Sequence, residues 1–194
     1  MLMSKSLVRA AVAAATLVLA PSFAAAQGTP APAPSPLKVG DAAPDFTVPW
    51  VTSAGLEKKP FKLSEHKGET IILAFFPKAR TSGCTMQMEN YRDKYADVFK
   101  GGKKVTLVGV SVDPDSALTS WAVDAKFPFH FAADVDRKVG VAYGASAGTG
   151  YHKRFLYVID PAGKIAYVAT PFLQMSQDAY AELGTAITKA AGTK

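Results

Sequence analysis

The stretch Thr70–Val112, TIILAFFPKARTSGCTMQMENYRDKYADVFKGGKKVTLVGVSV, decides the fold class. Its ends, Thr70–Phe76 (TIILAFF) and Val105–Val112 (VTLVGVSV), are near-continuous apolar runs rich in β-formers, stopped by Pro77 and by Asp113-Pro114. Unbroken apolarity of that length is what a strand buried on both faces needs. Between the runs, Cys84, Met88, Tyr91, Tyr95 and Val98 recur at spacings of 4, 3, 4 and 3, which predicts one helix ending at Gly101. Strand, helix and strand within about 40 residues make a right-handed parallel crossover.

The same alternation continues toward the C-terminus. Asp115–Lys126 reads as a helix with Leu118, Trp121, Ala122 and Ala125 inward, and Arg137–Tyr143 as a short one. Arg154–Ile159 and Lys164–Ala169 flank Asp160-Pro-Ala-Gly163, a hairpin by its turn residues. Ser176–Ala191 reads as a capped amphipathic helix, and the glycine-rich Gly144–Gly150 as a loop without phosphate-loop chemistry. The fold class is therefore α/β, a central mixed β-sheet flanked by helices. With 194 residues, 48% hydrophobic and 20% charged, the chain suits one globular domain.

Toward the N-terminus, residues 1–26 read as a secretory signal: Lys5 and Arg9 ahead of apolar Ala10–Leu19, then Ala24-Ala25-Ala26 as a small-residue cleavage site. Pro21 and the short apolar run argue against a membrane span. The expected location is the periplasm or the exterior, with no membrane association after cleavage. Residues 27–36 alternate proline with small residues and form an extended linker, so the domain runs over 37–194. The formal charge of +6 loses two of its bases with the signal, and no basic stripe or aromatic interleaving remains to suggest nucleic acid.

In an oxidising compartment, the single cysteine Cys84 is conspicuous, because no second thiol in the chain can pair with it. It is either a free reactive thiol, half of an intermolecular bridge, or a small buried hydrophobe. Its position favours chemistry. It lies just past the C-terminal end of a buried strand, where sites form in open α/β sheets. It also falls in the first turn of a helix, with Thr81 or Ser82 placed to cap, where unpaired N–H groups favour the thiolate, the nucleophilic form of sulfur.

The residues Phe75-Phe76-Pro77-Lys78-Ala79-Arg80-Thr81-Ser82-Gly83-Cys84-Thr85 resemble the active-site loop of peroxiredoxins, with Pro77, Thr81 and Cys84 in PxxxTxxC spacing. The bacterioferritin comigratory protein, or Q-type, subgroup is the most similar. Gly40–Phe46, Tyr91-Arg92-Asp93, Val110–Asp113, Phe127-Pro128-Phe129, Ala142-Tyr143-Gly144 and Arg154 six residues before Asp160 extend the resemblance in order along the domain. It implies a thioredoxin-like fold and reduction of hydrogen peroxide or organic hydroperoxides by Cys84. Thr81, Arg154 and the Cys84 backbone would serve as fixed donors, Pro77 would shape the loop, and no cofactor would be needed. Such donors matter because O–O cleavage must stabilise a departing oxyanion. Gln87 either holds Arg154 or faces solvent as an ordinary helix residue.

Two positions depart from the subgroup. Glu89 stands where a resolving cysteine is common, and Ser82 where proline is usual. The resemblance then implies a one-cysteine scheme in which an external thiol, a thioredoxin-like protein or a small molecule, reduces the sulfenic acid. A monomer or weak dimer is expected. His66, His130 and His152 lack ligand spacing, and Met88 lies on the apolar stripe, so no metal site is expected. Competing readings are a thiol-disulfide exchanger, which would want CxxC, and a redox-sensing or binding module without efficient turnover.

Overall fold

The structure, a computed structural model, describes residues 35–146, 148 and 150–192. The expected signal segment 1–26 and all of the linker except Ser35 and Pro36 lie outside the described residues, as do two positions of the Gly144–Gly150 loop.

The crossover forms from β5 (Thr70–Phe75), α1 (Ser82–Asp93), α2 (Tyr95–Val98) and β6 (Val105–Ser111), with β5 and β6 parallel over six residue pairs. Every residue of β5 is buried. Ile71, Leu73 and Phe75 enter one apolar cluster and Ile72 and Ala74 the other, on the opposite face. Two covered faces account for the unbroken apolar run. The helix between them departs from the single rod expected. Lys94, at φ −99 and ψ 10, separates α1 from α2, while the apolar stripe continues through Tyr95 and Val98.

Around this unit lie β1 (Thr47–Val48), β2 (Trp50–Thr52), β3 (Gly55–Leu56) and β4 (Phe61–Lys62) on the N-terminal side. On the C-terminal side come α3 (Asp115–Ala125), β7 (His130–Ala133), α4 (Lys138–Ala142), β8 (Leu156–Ile159), β9 (Ile165–Ala169) and α5 (Gln177–Ala191). The seven-stranded sheet has the order β3-β2-β7-β6-β5-β8-β9, with β5, β6 and β7 parallel and β8 antiparallel to β5. The β8–β9 hairpin and the Ser176 cap of α5, whose Oγ accepts from Ala179 N–H, match the sequence reading. Strands β1 to β4 and β7 have no counterpart in it. Among the described residues no helix is long and apolar enough to cross a membrane.

The three histidines have separate fates. His152 is buried with its Nε2 3.0 Å from Asp134 Oδ2, a close contact whose angle falls outside hydrogen-bond geometry. His66 stacks on Phe61, and His130 stacks on Trp50 at 3.9 Å between centroids. No cluster of the described residues could hold a metal ion.

Burial penalises the imidazolium of His130 and lowers its pKa below the ordinary 6.5. Because the unfolded chain then binds the proton more readily, this contribution to stability is intact above about pH 6.5 and lost as the pH falls through and below it. Melting temperatures followed by tryptophan fluorescence between pH 7.5 and 5 are expected to fall on acidification, and His130→Phe to flatten that slope. An unchanged slope in the variant would remove His130 as its source.

Candidate active site

The loop after β5 is fastened at several points, and these fix where α1 begins. Ala79 N–H donates to Asp113 Oδ2 at 2.8 Å, and Ser111 Oγ donates to the same oxygen at 3.0 Å from the end of β6. Arg80 adopts left-handed backbone at φ 62, and its guanidinium donates to Ser120 Oγ and Asp124 on α3. Such backbone is uncommon outside glycine and needs holding. Pro77 is half-buried directly after the strand.

Capping differs from the expectation. Thr81 is the residue before the helix, but its hydroxyl makes no cap and donates instead to the Lys78 carbonyl at 2.9 Å. Ser82 is already the first helical residue. The first backbone bond of the turn runs from Thr85 N–H to the Thr81 carbonyl. The N–H groups of Ser82, Gly83 and Cys84 thus have no carbonyl one turn back, and the positive end of a 12-residue helix meets the sulfur.

Arg154 reaches that point through register. The antiparallel pairing of β8 with β5 matches Ala74 to Leu156, so two residues further along the ladder Arg154 lies across from Phe76, at the β5 end that leads to Cys84. Its Nη2 stands 3.4 Å from Cys84 Sγ, and its Nη1 donates to Gln87 Oε1. Gln87 is fully buried, and its Nε2 donates to the Tyr91 hydroxyl at 2.8 Å. Burial pushes the Tyr91 phenol far above its ordinary value, so the hydroxyl keeps its proton. Tyr91, Gln87, Arg154 and Cys84 form one chain of contacts, in which Arg154 comes to Cys84 from 70 residues away in sequence.

Cys84 is 1% exposed and packs with the core cluster that contains Phe76 and Met88. A pocket for a merely apolar sulfur has no use for a permanently charged fork against it, whereas a thiolate does. A cavity of about 800 Å3 between β9 and α5 touches none of these side chains. The chemistry belongs where the Arg154 guanidinium meets Cys84 Sγ beside Gly83.

The family model described as AhpC/TSA family matches residues 39–168. The chain belongs to this family, the peroxiredoxins. It is 31% identical to peroxiredoxin Bcp of Escherichia coli K12 over 146 residues, 71% of this chain and 88% of the relative. The crystal structure of peroxidoxin BcpB from Mycobacterium tuberculosis superposes with a TM-score of 0.63 at 26% identity, covering 81% of this chain and 99% of that one. Enterococcus faecalis AhpC, at 17% identity and a TM-score of 0.68 over 78% and 90% of the two chains, shares the fold. This peroxiredoxin is a thiol-dependent peroxidase with a thioredoxin-like fold and a single cysteine. With Glu89 five residues after Cys84, no resolving thiol stands in the chain.

Proposed function

We propose that this peroxiredoxin is an exported one-cysteine enzyme that reduces hydrogen peroxide or organic hydroperoxides through a sulfenic acid on Cys84 and is regenerated by an external thiol. The observation that carries the reading is the 3.4 Å approach of the Arg154 guanidinium to Cys84 Sγ, with Gln87 behind it.

The Cys84 thiolate attacks the terminal oxygen of the peroxide, the S–O bond forms as the O–O bond breaks, and the departing oxygen takes up a proton to become water or an alcohol. Sulfur is oxidised to the sulfenic acid and the peroxide is reduced. Arg154 holds the thiolate and balances the charge that grows on the oxygens, and the free N–H of Cys84 adds a donor. Thr81 keeps the turn in shape through Lys78, and Pro77 shapes the loop. Gln87 is a positioning residue acting through Arg154. An incoming thiol then condenses with the sulfenic acid, releasing water, and a second thiol frees Cys84 and leaves as a disulfide. Export rests on the sequence pattern of residues 1–26.

The test uses reduced protein lacking residues 1–26 and one equivalent of hydrogen peroxide, followed by intact mass and thiol titration. The expected result is gain of one oxygen with loss of the thiol, reversed by added thiol, and continued peroxide consumption while thiol is in excess. Oxygen that thiol cannot remove would belong to methionine sulfoxide and would contradict the proposal. Oxidation that stops after one equivalent despite excess thiol would mark a sensor rather than an enzyme of turnover.

A further inference from the structure

Besides Gln87, a second amide, that of Gln174, stands near the Arg154 guanidinium at Gly83. The segment after β9 runs back over the site. Phe172 N–H donates to the Arg154 carbonyl at 2.8 Å, and Tyr180 Oη donates to the Gln174 carbonyl at 3.0 Å. Burial pushes the Tyr180 phenol up to about 12, so this donor persists. Along the segment Leu173 and Met175 point to solvent at 60% and 68% exposure, whereas Phe172 is buried and Gln174 between them is half-buried.

The Gln174 side chain comes to Gly83, the residue before Cys84. A methyl group built on Gly83 would lie 3.5 Å from Gln174 Nε2 and 3.6 Å from Arg154 Nη2, so both nitrogens border one small space that glycine leaves open. Arg154 Nη2 is the same atom that contacts Cys84 Sγ. The Gln174 amide makes no side-chain hydrogen bond with any described residue, although its backbone is tied at both N–H and C=O. The Gln174 amide is not sealed from solvent, so it can exchange water for a ligand at little cost.

We propose that Gln174 is a catalytic residue whose Nε2 donates a hydrogen bond to the departing oxygen of the peroxide as Cys84 opens the O–O bond. The inference rests on the peroxidase reading above and adds a donor to it. On this inference the leaving oxygen occupies the space beside Gly83, which Arg154 Nη2 and Gln174 Nε2 both border. Arg154 keeps N–H groups beyond those that face Sγ and Gln87, so Gln174 acts beside it and not in its place. Hydrogen peroxide and an alkyl hydroperoxide both leave an oxyanion here, and a donor stabilises either one.

The experiment compares Gln174→Leu and Gln174→Ala with the wild type in two reactions of Cys84: oxidation by hydrogen peroxide and by cumene hydroperoxide, and alkylation by iodoacetamide. Leucine keeps the packing at Gly83 and removes the donor. Both peroxide rate constants are expected to fall about tenfold, less than for a fully buried oxyanion donor. Alkylation, which expels iodide and builds no oxyanion, is expected to stay within twofold. A fall in all three reactions would make Gln174 a structural residue and overturn the inference, as would a fall confined to hydrogen peroxide, which would point to the amide oxygen as acceptor. A wild type that oxidises quickly beside unchanged variants defeats this inference alone. A wild type that is alkylated and not oxidised defeats the peroxidase reading and this donor together.

Discussion

Arg154→Ala is expected to slow oxidation of Cys84 by hydrogen peroxide about 1,000-fold, some 4 kcal/mol of transition-state stabilisation, and to lower the melting temperature by only a few degrees, as the buried Gln87 Oε1 loses its donor. The size follows from what the guanidinium does at once. It stands 3.4 Å from Sγ and is braced by Gln87, so its charge is already oriented when the reaction begins. Its side chain is only partly buried and belongs to no core cluster, so removing it costs activity far more than stability. Arg154→Lys restores a point charge that cannot fork between Gln87 and the sulfur, and its rate should fall between the two. Cys84→Ser sets the zero of the assay. Stopped-flow oxidation rates decide the matter: an alanine variant within threefold of the wild type would take Arg154 out of the reaction.

Prominent in that prediction is a contact spanning 70 residues, and the sequence shows such contacts unevenly. The doubly covered strands β5 and β6 announce themselves because every position must be apolar. The helix carrying Cys84 shows its buried stripe but not its break at Lys94, since a stripe that stays in phase carries no mark of a local change in backbone angle. Strand β7, HFAA, is too short and too mixed for period-2 alternation to register, and β1 to β4 are two or three residues each. Cys84 was legible from its place between strand and helix. Arg154 was legible only through family resemblance joined to an antiparallel β8, because nothing local separates it from a surface arginine. The fastening of Ala79 by Asp113 and of Arg80 by Asp124 spans 34 and 44 residues and leaves no periodic trace. A partial signal for the loop did exist in Asp113-Pro114, where an acid directly after a buried strand could have been read as an anchor for a neighbouring turn.

Gly140→Ala is expected to destabilise the fold by about 3 kcal/mol, at the upper end for overpacking, lowering the melting temperature by roughly 6–12 °C. Gly140 does not need glycine for its backbone angle, since its φ is not in the left-handed region. It needs glycine for space. An alanine methyl would fall 2.2 Å from His152 Cε1 and 2.5 Å from Nδ1, inside a ring that is itself buried against Asp134. Neither neighbour can yield cheaply. The Asp134 carboxylate accepts from Val139 and Gly140 N–H at 3.1 and 2.7 Å, and the Gly140 carbonyl accepts from Ala145 and Ser146. The strain would pass along the chain, because Ser146 bridges His152 and Lys153 N–H donates to Ala145 just before Arg154. Some loss of peroxide rate should therefore accompany the loss of stability. His152→Ala alone should cost a similar amount by emptying the ring's site. The double variant separates crowding from any other effect of the alanine: with the ring gone the new methyl has room, so the combined loss should be clearly smaller than the two single losses together. Additive losses, or a Gly140→Ala protein melting within 2 °C of the wild type, would show that the ring moves aside and that the close fit between Gly140 and His152 is not what holds this end of the β8 approach in place.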